Sequence, residues 1–286
     1  MRIGVSSYSF ETYMRQSGCD YIKICDIAKE MGYEGIEFID LDEKISGRAP
    51  LEAARAIREH CAAIGLEIIA YTVKADFINS DPETEVARVC GCVDIAEALG
   101  APVMRHDAAW HPAAPGRAGA WQATVAAVAP YIRRVAEYAA GKGIRTCTEN
   151  HGHYLQEPER VEALIRAVDH PNYGWLVDIG NFICADCDSL RAVATAAPYA
   201  THVHAKDFLY KPGREPMPGE GWFDTRGGNH IRGTIVGHGV IPVPQCVATL
   251  RAAGYDGWLS YEFEGLEENL LALRAGLEYL KKIVNP

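Results

Sequence analysis

The second half of the chain contains Ile144-Arg-Thr-Cys-Thr-Glu149, Tyr173-Gly-Trp-Leu-Val-Asp178, Thr201-His-Val-His204 and Trp258-Leu-Ser-Tyr-Glu262, four runs of strand length. Each run is rich in apolar, β-branched or aromatic residues, a composition typical of a buried β-strand. Helix-like patterns separate the four runs along the chain. The carboxylate or imidazole that closes each run is therefore predicted at the carboxyl end of a strand.

The same alternation of strand and helix patterns extends over the whole chain. The predicted strands are Ile3–Ser7, Gly35–Ile39, Glu67–Tyr71, Pro102–His106, Ile144–Glu149, Tyr173–Asp178, Thr201–Lys206 and Trp258–Phe263. The predicted helices lie near Asp20–Met31, Leu51–Ile64, Pro82–Leu99, Ala118–Lys142, Glu157–Val168, Ser189–Ala197, Pro244–Ala253 and Glu267–Ile283. Glycine follows several helices, as expected of helix–strand turns.

Strands that alternate with helices over 286 residues predict a single (β/α)8 TIM barrel that spans residues 1–286. A doubly wound parallel sheet is the alternative fold. No Gly-x-Gly-x-x-Gly follows any predicted strand, so the signature of a dinucleotide-binding sheet is missing. A barrel also places the ends of its last four strands around one point, which a doubly wound sheet does not readily do.

Composition indicates an enzyme of the cytoplasm rather than a nucleic-acid or membrane protein. The formal net charge is −10 and no run of Lys and Arg occurs, which disfavours nucleic acid and anionic membranes as partners. No uncharged apolar stretch of about 18 residues occurs, and the N-terminus does not resemble a signal peptide. The 9 cysteines are an odd number and are predicted to be reduced thiols.

One segment, 207–239, lacks the periodicity of the rest. It contains three prolines and eight glycines and is predicted to be a long loop after strand seven. In a barrel this loop lies on the face that carries active sites. We expect it to close over a ligand with Trp222, Phe223, Arg226, His230 and Arg232. An ordered surface excursion or a subunit contact is the alternative.

The four strand ends together predict a metal site formed by Glu149, Asp178, His204 and Glu262. A lone carboxylate at a strand end is usually a helix cap or is solvated, but caps do not readily explain four successive strands. Three carboxylates and one imidazole suit one divalent ion, for which we expect Mn²⁺, with Mg²⁺, Co²⁺ or Zn²⁺ as alternatives.

Further motifs are Gly32-Tyr-Glu-Gly-Ile-Glu37, Glu149-Asn-His-Gly152, His202-Val-His-Ala-Lys-Asp207 and Gly254-Tyr-Asp-Gly-Trp258. Together with Glu149, Asp178, His204 and Glu262, these motifs make the chain resemble the xylose-isomerase-like TIM-barrel superfamily. The resemblance is strongest to its sugar and inosose isomerase and epimerase branch. The resemblance implies that Glu149, Asp178, His204 and Glu262 bind the metal, and that Glu149 and Glu262 also move the proton. The Asp-x-x-His of the ketose epimerases is Asp178-Ile-Gly-Asn181 here, which argues against a simple ketose 3-epimerase and against the DNA endonuclease of the superfamily.

The resulting prediction is a metal-dependent isomerase or epimerase of a keto sugar or inosose that works through a metal-stabilised enediolate. Three ligating carboxylates leave a metal site near −1, which favours a neutral sugar or polyol as the small-molecule substrate. The alternative is a lyase, either a dehydratase or a 3-keto-glycoside deglycosidase, with the same initial deprotonation. A non-catalytic sugar-binding or partner subunit is a third possibility. A homo-oligomer and a subunit of a hetero-complex are the candidate assemblies.

Additional side chains near the strand ends are predicted to contact the substrate: Glu37, His106, Trp110, His151, Asn181, Lys206, His230 and Arg232. For Glu37 a helix cap, and for Lys206 a structural ion pair, are the alternatives. His106, His111, His151 and His153 are candidates for an additional acid or base. His202 is predicted to be a core histidine, since it lies deeper on the strand that carries His204 and Lys206.

Overall fold

The computed structural model describes residues 1–110, 121–152 and 154–284. Its strands are β1 (Arg2–Ser6), β2 (Gly35–Ile39), β3 (Glu67–Val73), β4 (Val103–His106), β5 (Arg145–Glu149), β6 (Tyr173–Asp178), β7 (Ala200–Ala205), β8 (Asp207–Lys211), β9 (Phe223–Asp224), β10 (His230–Thr234) and β11 (Trp258–Tyr261). Strands β1 to β7 and β11 form a closed parallel barrel in which β11 pairs with both β7 and β1. The predicted (β/α)8 TIM barrel is confirmed.

Helices follow the barrel strands and cover their outer surface. They are α1 (Glu11–Ser17), α2 (Tyr21–Met31), α3 (Glu43–Ser46), α4 (Pro50–Ile64), α5 (Pro82–Leu99), α6 (Trp121–Ala140), α7 (Pro158–Val168), α8 (Ser189–Ala196), α9 (Val243–Ala252) and α10 (Asn269–Val284). The short helices α1 and α3 were not predicted, because seven and four residues are too few to show a helical period.

Helix α7 shows how the sequence packs a helix on the barrel. Its buried residues Val161, Leu164, Ile165 and Val168 follow the i, i+3, i+4, i+7 spacing of one helix face.

Helix α4 ends at Gly65, whose φ of 68° is the left-handed conformation that glycine adopts at low cost. The chain then turns directly into β3, so the glycine sets the point where the next strand begins.

The predicted barrel strands agree with the observed ones within two residues, with one consequence for the site. Strands β7 and β11 end at Ala205 and Tyr261, so that Lys206 and Glu262 lie just beyond them. The backbone N–H of Glu262 still donates to the carbonyl of Ala205 over 3.0 Å. Both side chains are therefore held at the mouth of the barrel by the strand ends that precede them.

The segment 207–239, predicted as a long loop, contains three short strands of its own. Strands β8, β10 and β9 form a small antiparallel sheet, in which Asp207 pairs with Thr234 and Lys211 with His230. Its prolines and its two-residue strand β9 hide the alternation that a longer strand shows.

Two carboxylates attach this small sheet to the barrel. Asp186 accepts hydrogen bonds from Thr225 Oγ1 at 2.6 Å, from Asn229 Nδ2 at 2.8 Å and from the backbone N–H of Gly227. Asp207 accepts four backbone N–H bonds, from Phe208, Gly237, Gly239 and Ile241. A side chain at Gly239 would collide with this carboxylate, since its Cβ would lie 2.1 Å from Asp207 Oδ1. The sheet forms one wall of the barrel mouth, where Phe208 and Phe223 line the cavity.

Within the described residues, no helix combines the length and the apolar character needed to cross a bilayer. All nine cysteines are free thiols, and Cys25 and Cys61 lie closest to each other in the core, with 3.5 Å between their sulfur atoms.

Candidate metal and catalytic site

The four predicted ligands meet at the carboxyl ends of the barrel strands. Each residue of the quartet Glu149, Asp178, His204 and Glu262 contributes one ligand atom, and these atoms all lie within 4.8 Å of one another. His204 Nδ1 is 3.6 Å from Glu262 Oε2 and 3.9 Å from both Glu149 Oε1 and Asp178 Oδ2. The parallel register brings them together, because His204 pairs with Asp178 on β6 and with Ser260 on β11.

Two of these atoms are buried without a hydrogen bond among the described residues, although Lys206 Nζ lies 3.7 Å from Asp178 Oδ2. His204 Nδ1 and Asp178 Oδ2 are buried and make no hydrogen bond within the described part of the chain. Buried polar atoms are normally paired, so two unpaired atoms that face the same point indicate a ligand between them. Three carboxylates and an imidazole form a donor set that fits one divalent ion. The other oxygen of Asp178 accepts the N–H groups of Gly180 and Asn181, which fixes the carboxylate in place.

Glu37 lies behind the quartet and not in the cavity, so its predicted contact with a sugar hydroxyl is wrong. The side chain is completely buried, with Oε2 2.6 Å from His202 Nε2 and Oε1 2.8 Å from His204 Nε2. It therefore orients His204 from the side opposite Nδ1. His202 is the buried, paired core histidine that was predicted.

Lys206 pairs with Glu262 from the β7 side. Its Nζ lies 2.6 Å from Glu262 Oε2 and 3.0 Å from Glu264 Oε2. Burial opposes ionisation of Glu262, but the charges of Lys206 and His204 outweigh it and keep the pKa of Glu262 well below its usual value. Burial would lower the pKa of Lys206, and the carboxylates of Glu262, Glu264 and Asp178 instead raise it. Glu262 is consequently an ionised carboxylate beside a charged ammonium.

Glu149 is held from the other side by Arg105 and Asn181. Arg105 Nη2 lies 2.8 Å from Glu149 Oε2 and 2.6 Å from Asp107 Oδ1, and Asn181 Nδ2 donates to Glu149 Oε1 over 2.9 Å. Arg105 was not assigned a role from the sequence. Strand periodicity provides the missing signal, because it places Arg105 and Asp107 on the opposite face from His106.

His106 does not reach the cavity, which overturns its predicted role. Its ring is fully buried, stacks on Tyr173 with centroids 5.8 Å apart and contacts Phe77 edge-on. Its Nδ1 lies 2.8 Å from the carbonyl oxygen of Asp107. Burial lowers the pKa of His106 to about 4, so it is a neutral core residue.

His151 and Trp110 do line the cavity. His151 Nδ1 lies 3.1 Å from Asp107 Oδ1, and the Trp110 ring meets the imidazole edge-on with centroids 4.9 Å apart. Burial would lower the pKa of His151, but the carboxylate of Asp107 outweighs it and raises the pKa. The other two candidate histidines, His111 and His153, lie outside the described residues.

The cavity above the quartet has a volume of about 370 Å³. Its wall near β1 to β3 is polar, and its wall near β8 and β9 is aromatic. The lining includes Tyr8, Glu11, Asp40, Thr72, Lys74, Arg105, Trp110, Glu149, His151, Gln156, Asn181, Cys184, His204, Lys206, Phe208, Phe223, Glu262 and Glu264. Tyr8 and Glu264 are cavity residues that the sequence did not indicate, since neither belongs to a recognisable motif.

The small sheet contributes fewer residues to this cavity than predicted. Phe223 lines it, whereas Trp222, Arg226 and His230 do not. His230 Nδ1 lies 2.7 Å from Asp224 Oδ1, and Arg226 pairs with Glu157. Arg232 pairs with Glu267 over 3.2 Å and faces a neighbouring cavity instead. His230 therefore lies away from the main cavity, whereas Arg232 lies beside the neighbouring cavity, where its contact with a substrate stays a prediction.

Comparisons with known proteins agree with the barrel fold. A family profile described as the xylose isomerase-like TIM barrel matches residues 25–283. An inosose dehydratase from Geobacillus thermodenitrificans is 27% identical over 136 residues, which are 46% of this chain and 45% of that protein. The match therefore spans less than half the length of this relative.

Solved structures share the fold over nearly the whole chain. A probable 3-DHS dehydratase from Bacillus anthracis superposes with a TM-score of 0.75 at 20% identity, covering 98% of this chain and 99% of that one. A xylose isomerase-like TIM barrel protein from Mycobacterium smegmatis, in complex with magnesium, gives 0.72 at 17% identity, covering 99% and 96%. Since the profile extends from α2 to α10 and the structure has the same barrel, the chain belongs to the xylose isomerase-like TIM barrel family.

Proposed function

We propose that this protein is a divalent-metal-dependent lyase that removes the proton beside the carbonyl of a neutral keto sugar or inosose and then expels a β-substituent. The main support for this proposal is that the cavity contains one group suited to accept a proton and a different group suited to donate one. Glu262 is a carboxylate kept ionised by Lys206, whereas His151 is an imidazole supported by Asp107. Elimination needs one group that takes a proton and another that gives one.

Glu149, Asp178, His204 and Glu262 are the residues that would hold the ion, and Mn²⁺ is the ion we propose. When bound, it supplies Lewis acidity at the substrate carbonyl. The related structure from Mycobacterium smegmatis contains magnesium, which is compatible with the same oxygen-rich donors.

In the proposed reaction Glu262 accepts the proton from the carbon next to the carbonyl. His151 gives a proton to the leaving oxygen as the carbon–oxygen bond breaks, so the products are an unsaturated ketone and water or an alcohol. Asp107 lies just after β4, which is diametrically opposite β11 in the barrel order, so acid and base approach the substrate from different sides. Arg105 supports both sides by contacting Asp107 and Glu149.

The charges of the cavity favour a neutral substrate. Arg105 is paired with Asp107 and Glu149, and Lys206 with Glu262 and Glu264. Among the described lining residues, Lys74 is the cation without an ion pair, and it is exposed at the rim. A carboxylate or phosphate on the substrate would thus find no unpaired buried cation, whereas hydroxyl groups would find many donors and acceptors.

Isomerisation or epimerisation is the second candidate function, and the position of Glu149 favours it. Glu149 and Glu262 both adjoin the proposed ion, as proton transfer on two faces of one substrate requires. However, both oxygens of Glu149 already accept charged or amide donors, from Arg105 and Asn181. These contacts suit a ligand better than a proton carrier, and for that reason we place the lyase first.

The test uses Mn²⁺-supplemented protein and scyllo-inosose in deuterated water, with proton exchange and enone absorbance recorded together. We expect both signals from the wild type. Glu262→Gln should reduce both by about 10²–10⁴-fold, the usual loss for a general base. His151→Gln should keep exchange and lose elimination. An isomer formed without water loss would establish the second candidate. Absence of exchange on scyllo-inosose and on a panel of keto sugars would refute both.

A further inference from the structure

A second cavity of about 200 Å³ adjoins the first one. It lies between the end of β11, the start of α10 and the small sheet. The lining residues are Tyr8, Ser9, Gly221, Arg232, Phe263, Glu264, Gly265, Leu266 and Asn269. Tyr8 and Glu264 also line the main cavity, so the two spaces meet across these side chains. Lys206 contacts Glu264 at 3.0 Å and so connects this boundary to the ligand Glu262.

The second cavity combines apolar side chains with at least as many polar ones. Phe263 is buried, whereas Leu266 is 54% exposed and packs over Gly221, where an added Cβ would come within 2.9 Å of it. The polar edge includes Arg232, whose Nη2 pairs with Glu267 while its Nε is buried without a hydrogen-bond partner in the described chain. A guanidinium has five N–H donors, and the pairing of Nη2 with Glu267 leaves others for a ligand beside this cavity.

We propose that this second cavity binds a hydroxylated ring attached to the ring that reacts, so that the substrate has two rings. A sugar or a phenolic ring has this combination of an apolar face and polar edges, and would place its face on Leu266 and its oxygens near Arg232. The inference rests on the proposed function, because the first ring is the one that occupies the metal site. No residue of this cavity belongs to the catalytic quartet.

The second ring remains attached during the reaction. The second cavity opens beside β1 and β11, whereas His151 follows β5, which is opposite β1 in the barrel order. The group that receives a proton from His151 is therefore expelled on the far side from the second ring. The reaction class is then a dehydration of a substituted keto sugar or inosose, with loss of water from the first ring only.

The test measures binding of compounds that lack a carbonyl and do not react, so it does not depend on turnover. Mn²⁺-supplemented protein is titrated calorimetrically with myo-inositol against galactinol, its galactosyl derivative, and with glucose against arbutin, a phenolic glucoside. We expect the two-ring compound of at least one pair to bind about tenfold more tightly, or about 1.4 kcal/mol. A gain for galactinol identifies a sugar ring, and a gain for arbutin a phenolic ring.

Variants at Leu266 test whether the gain in affinity for two-ring compounds comes from the second cavity. Leu266→Ala should reduce the two-ring advantage about three- to tenfold because apolar contact is lost, and Leu266→Trp should abolish it by filling the space. Leu271→Ala is the matched control, an exposed leucine that does not line the cavity. Equal affinities within both pairs, or an advantage that survives both Leu266 variants, would overturn the second binding site.

Turnover separates this inference from the proposed function. If two-ring compounds bind more tightly but no proton exchange occurs, the second binding site is supported and the proposed reaction is refuted. If exchange occurs on scyllo-inosose but two-ring compounds bind no more tightly, the reaction is supported and the second binding site is refuted. With a keto derivative of galactinol, mass spectrometry should find a two-ring product lighter by one water. Release of free galactose would overturn retention of the second ring.

Discussion

At the scale of single residues, Glu37 orients His204, one of the four proposed metal ligands, without lining the cavity itself. Its carboxylate can only accept hydrogen bonds when ionised, and the charges and hydrogen bonds of His204 and His202 overcome burial and keep its pKa low. When an ion binds at Nδ1, the remaining proton of His204 lies on Nε2, the atom 2.8 Å from Glu37 Oε1. A buried carboxylate at this position favours the tautomer that metal binding requires.

We predict that Glu37→Gln weakens Mn²⁺ binding about 10–100-fold, the usual effect of losing a partner of a metal-binding histidine. An amide can donate as well as accept, so it no longer enforces the tautomer of His204. Calorimetric titration with Mn²⁺ measures the change. Glu34→Gln is the control, because Glu34 pairs with Arg2 on the surface. Equal affinities of the wild type and Glu37→Gln would contradict the role of Glu37.

The buried imidazole of His106 predicts a dependence of stability on pH. Its pKa is about 4 in the folded protein, whereas in the unfolded chain it is near the ordinary value of about 6.5. Between these values the unfolded state binds more protons, so lowering the pH through this window reduces the free energy of unfolding by up to about 1.4 kcal/mol per pH unit. Below about pH 4 both states are protonated and the dependence ends.

His106→Phe should therefore reduce this dependence, because phenylalanine keeps the contacts with Tyr173 and Phe77 but does not titrate. Urea unfolding of both proteins at pH 7 and at pH 5 measures the difference. The wild type should lose more free energy of unfolding than the variant over these two units. His60→Phe provides a comparison, since His60 is partly exposed and pairs with Asp26. Parallel losses in wild type and His106→Phe would place the titrating group elsewhere.

At the scale of elements, the alternating strands and helices of the barrel could be predicted from the sequence. The small sheet could not, because it forms through contacts between residues that are distant in the chain. Each barrel strand is an apolar run that can be recognised without knowing its neighbours in the sheet. The four proposed metal ligands could be predicted because Glu149, Asp178, His204 and Glu262 lie at or beside the ends of these strands. The small sheet depends instead on Asp186, which lies after β6 and holds a loop about forty residues further along the chain. No local pattern reports such a contact.

Residues of one polar run were separated only by the structure. Arg105, His106 and Asp107 are consecutive, yet Arg105 and Asp107 face the cavity side and His106 packs against Phe77 and Tyr173. The sequence supplied the alternation of a strand, but not which of its two faces points into the barrel. The choice depends on how β4 packs between β3 and β5, which is a property of the closed sheet.

We predict that Asp186→Ala loosens the small sheet without affecting the metal site. The variant loses the acceptor for Thr225, Gly227 and Asn229, so amide hydrogen exchange in residues 207–234 should accelerate at least tenfold. Mn²⁺ affinity should stay within twofold of wild type, and KM should rise because Phe208 and Phe223 form part of the cavity wall. Mass spectrometry of exchanged peptides provides the first measurement.

Asp188→Ala is the matched control for this variant. Asp188 caps α8 by accepting from Arg191, and it does not contact the small sheet. Its loss should cost about 1 kcal/mol of stability, as is usual for a helix cap, with unchanged exchange in the small sheet. If Asp186→Ala exchanges like the wild type, the sheet is held by its apolar contacts and not by this carboxylate.

At the scale of the whole molecule, the barrel gathers carboxylates from residues 149 to 262 into one buried point. Arg105 and Lys206 compensate part of this charge, but Glu149, Asp178 and Glu262 still repel one another within 4.8 Å. A divalent ion would relieve this repulsion in the folded chain, and the unfolded chain offers no such site. Metal binding and stability of the entire barrel should therefore be coupled.

We predict that the wild type binds about one Mn²⁺ per chain and that the ion raises Tm. At a free concentration of 100 times Kd the gain in free energy of unfolding is about 2.7 kcal/mol, which for a chain of this size corresponds to roughly 5–10 °C. Asp178→Asn should lose most of this shift because it removes a ligand charge, and its Tm without metal should equal or exceed that of the wild type because a repelling carboxylate is gone. Asp94→Asn, at an exposed carboxylate that pairs with Lys142, should keep the full shift. Thermal unfolding with and without Mn²⁺ measures these shifts. The quartet would not be the metal site if Mn²⁺ left the Tm of the wild type unchanged, or if Asp178→Asn kept the full shift.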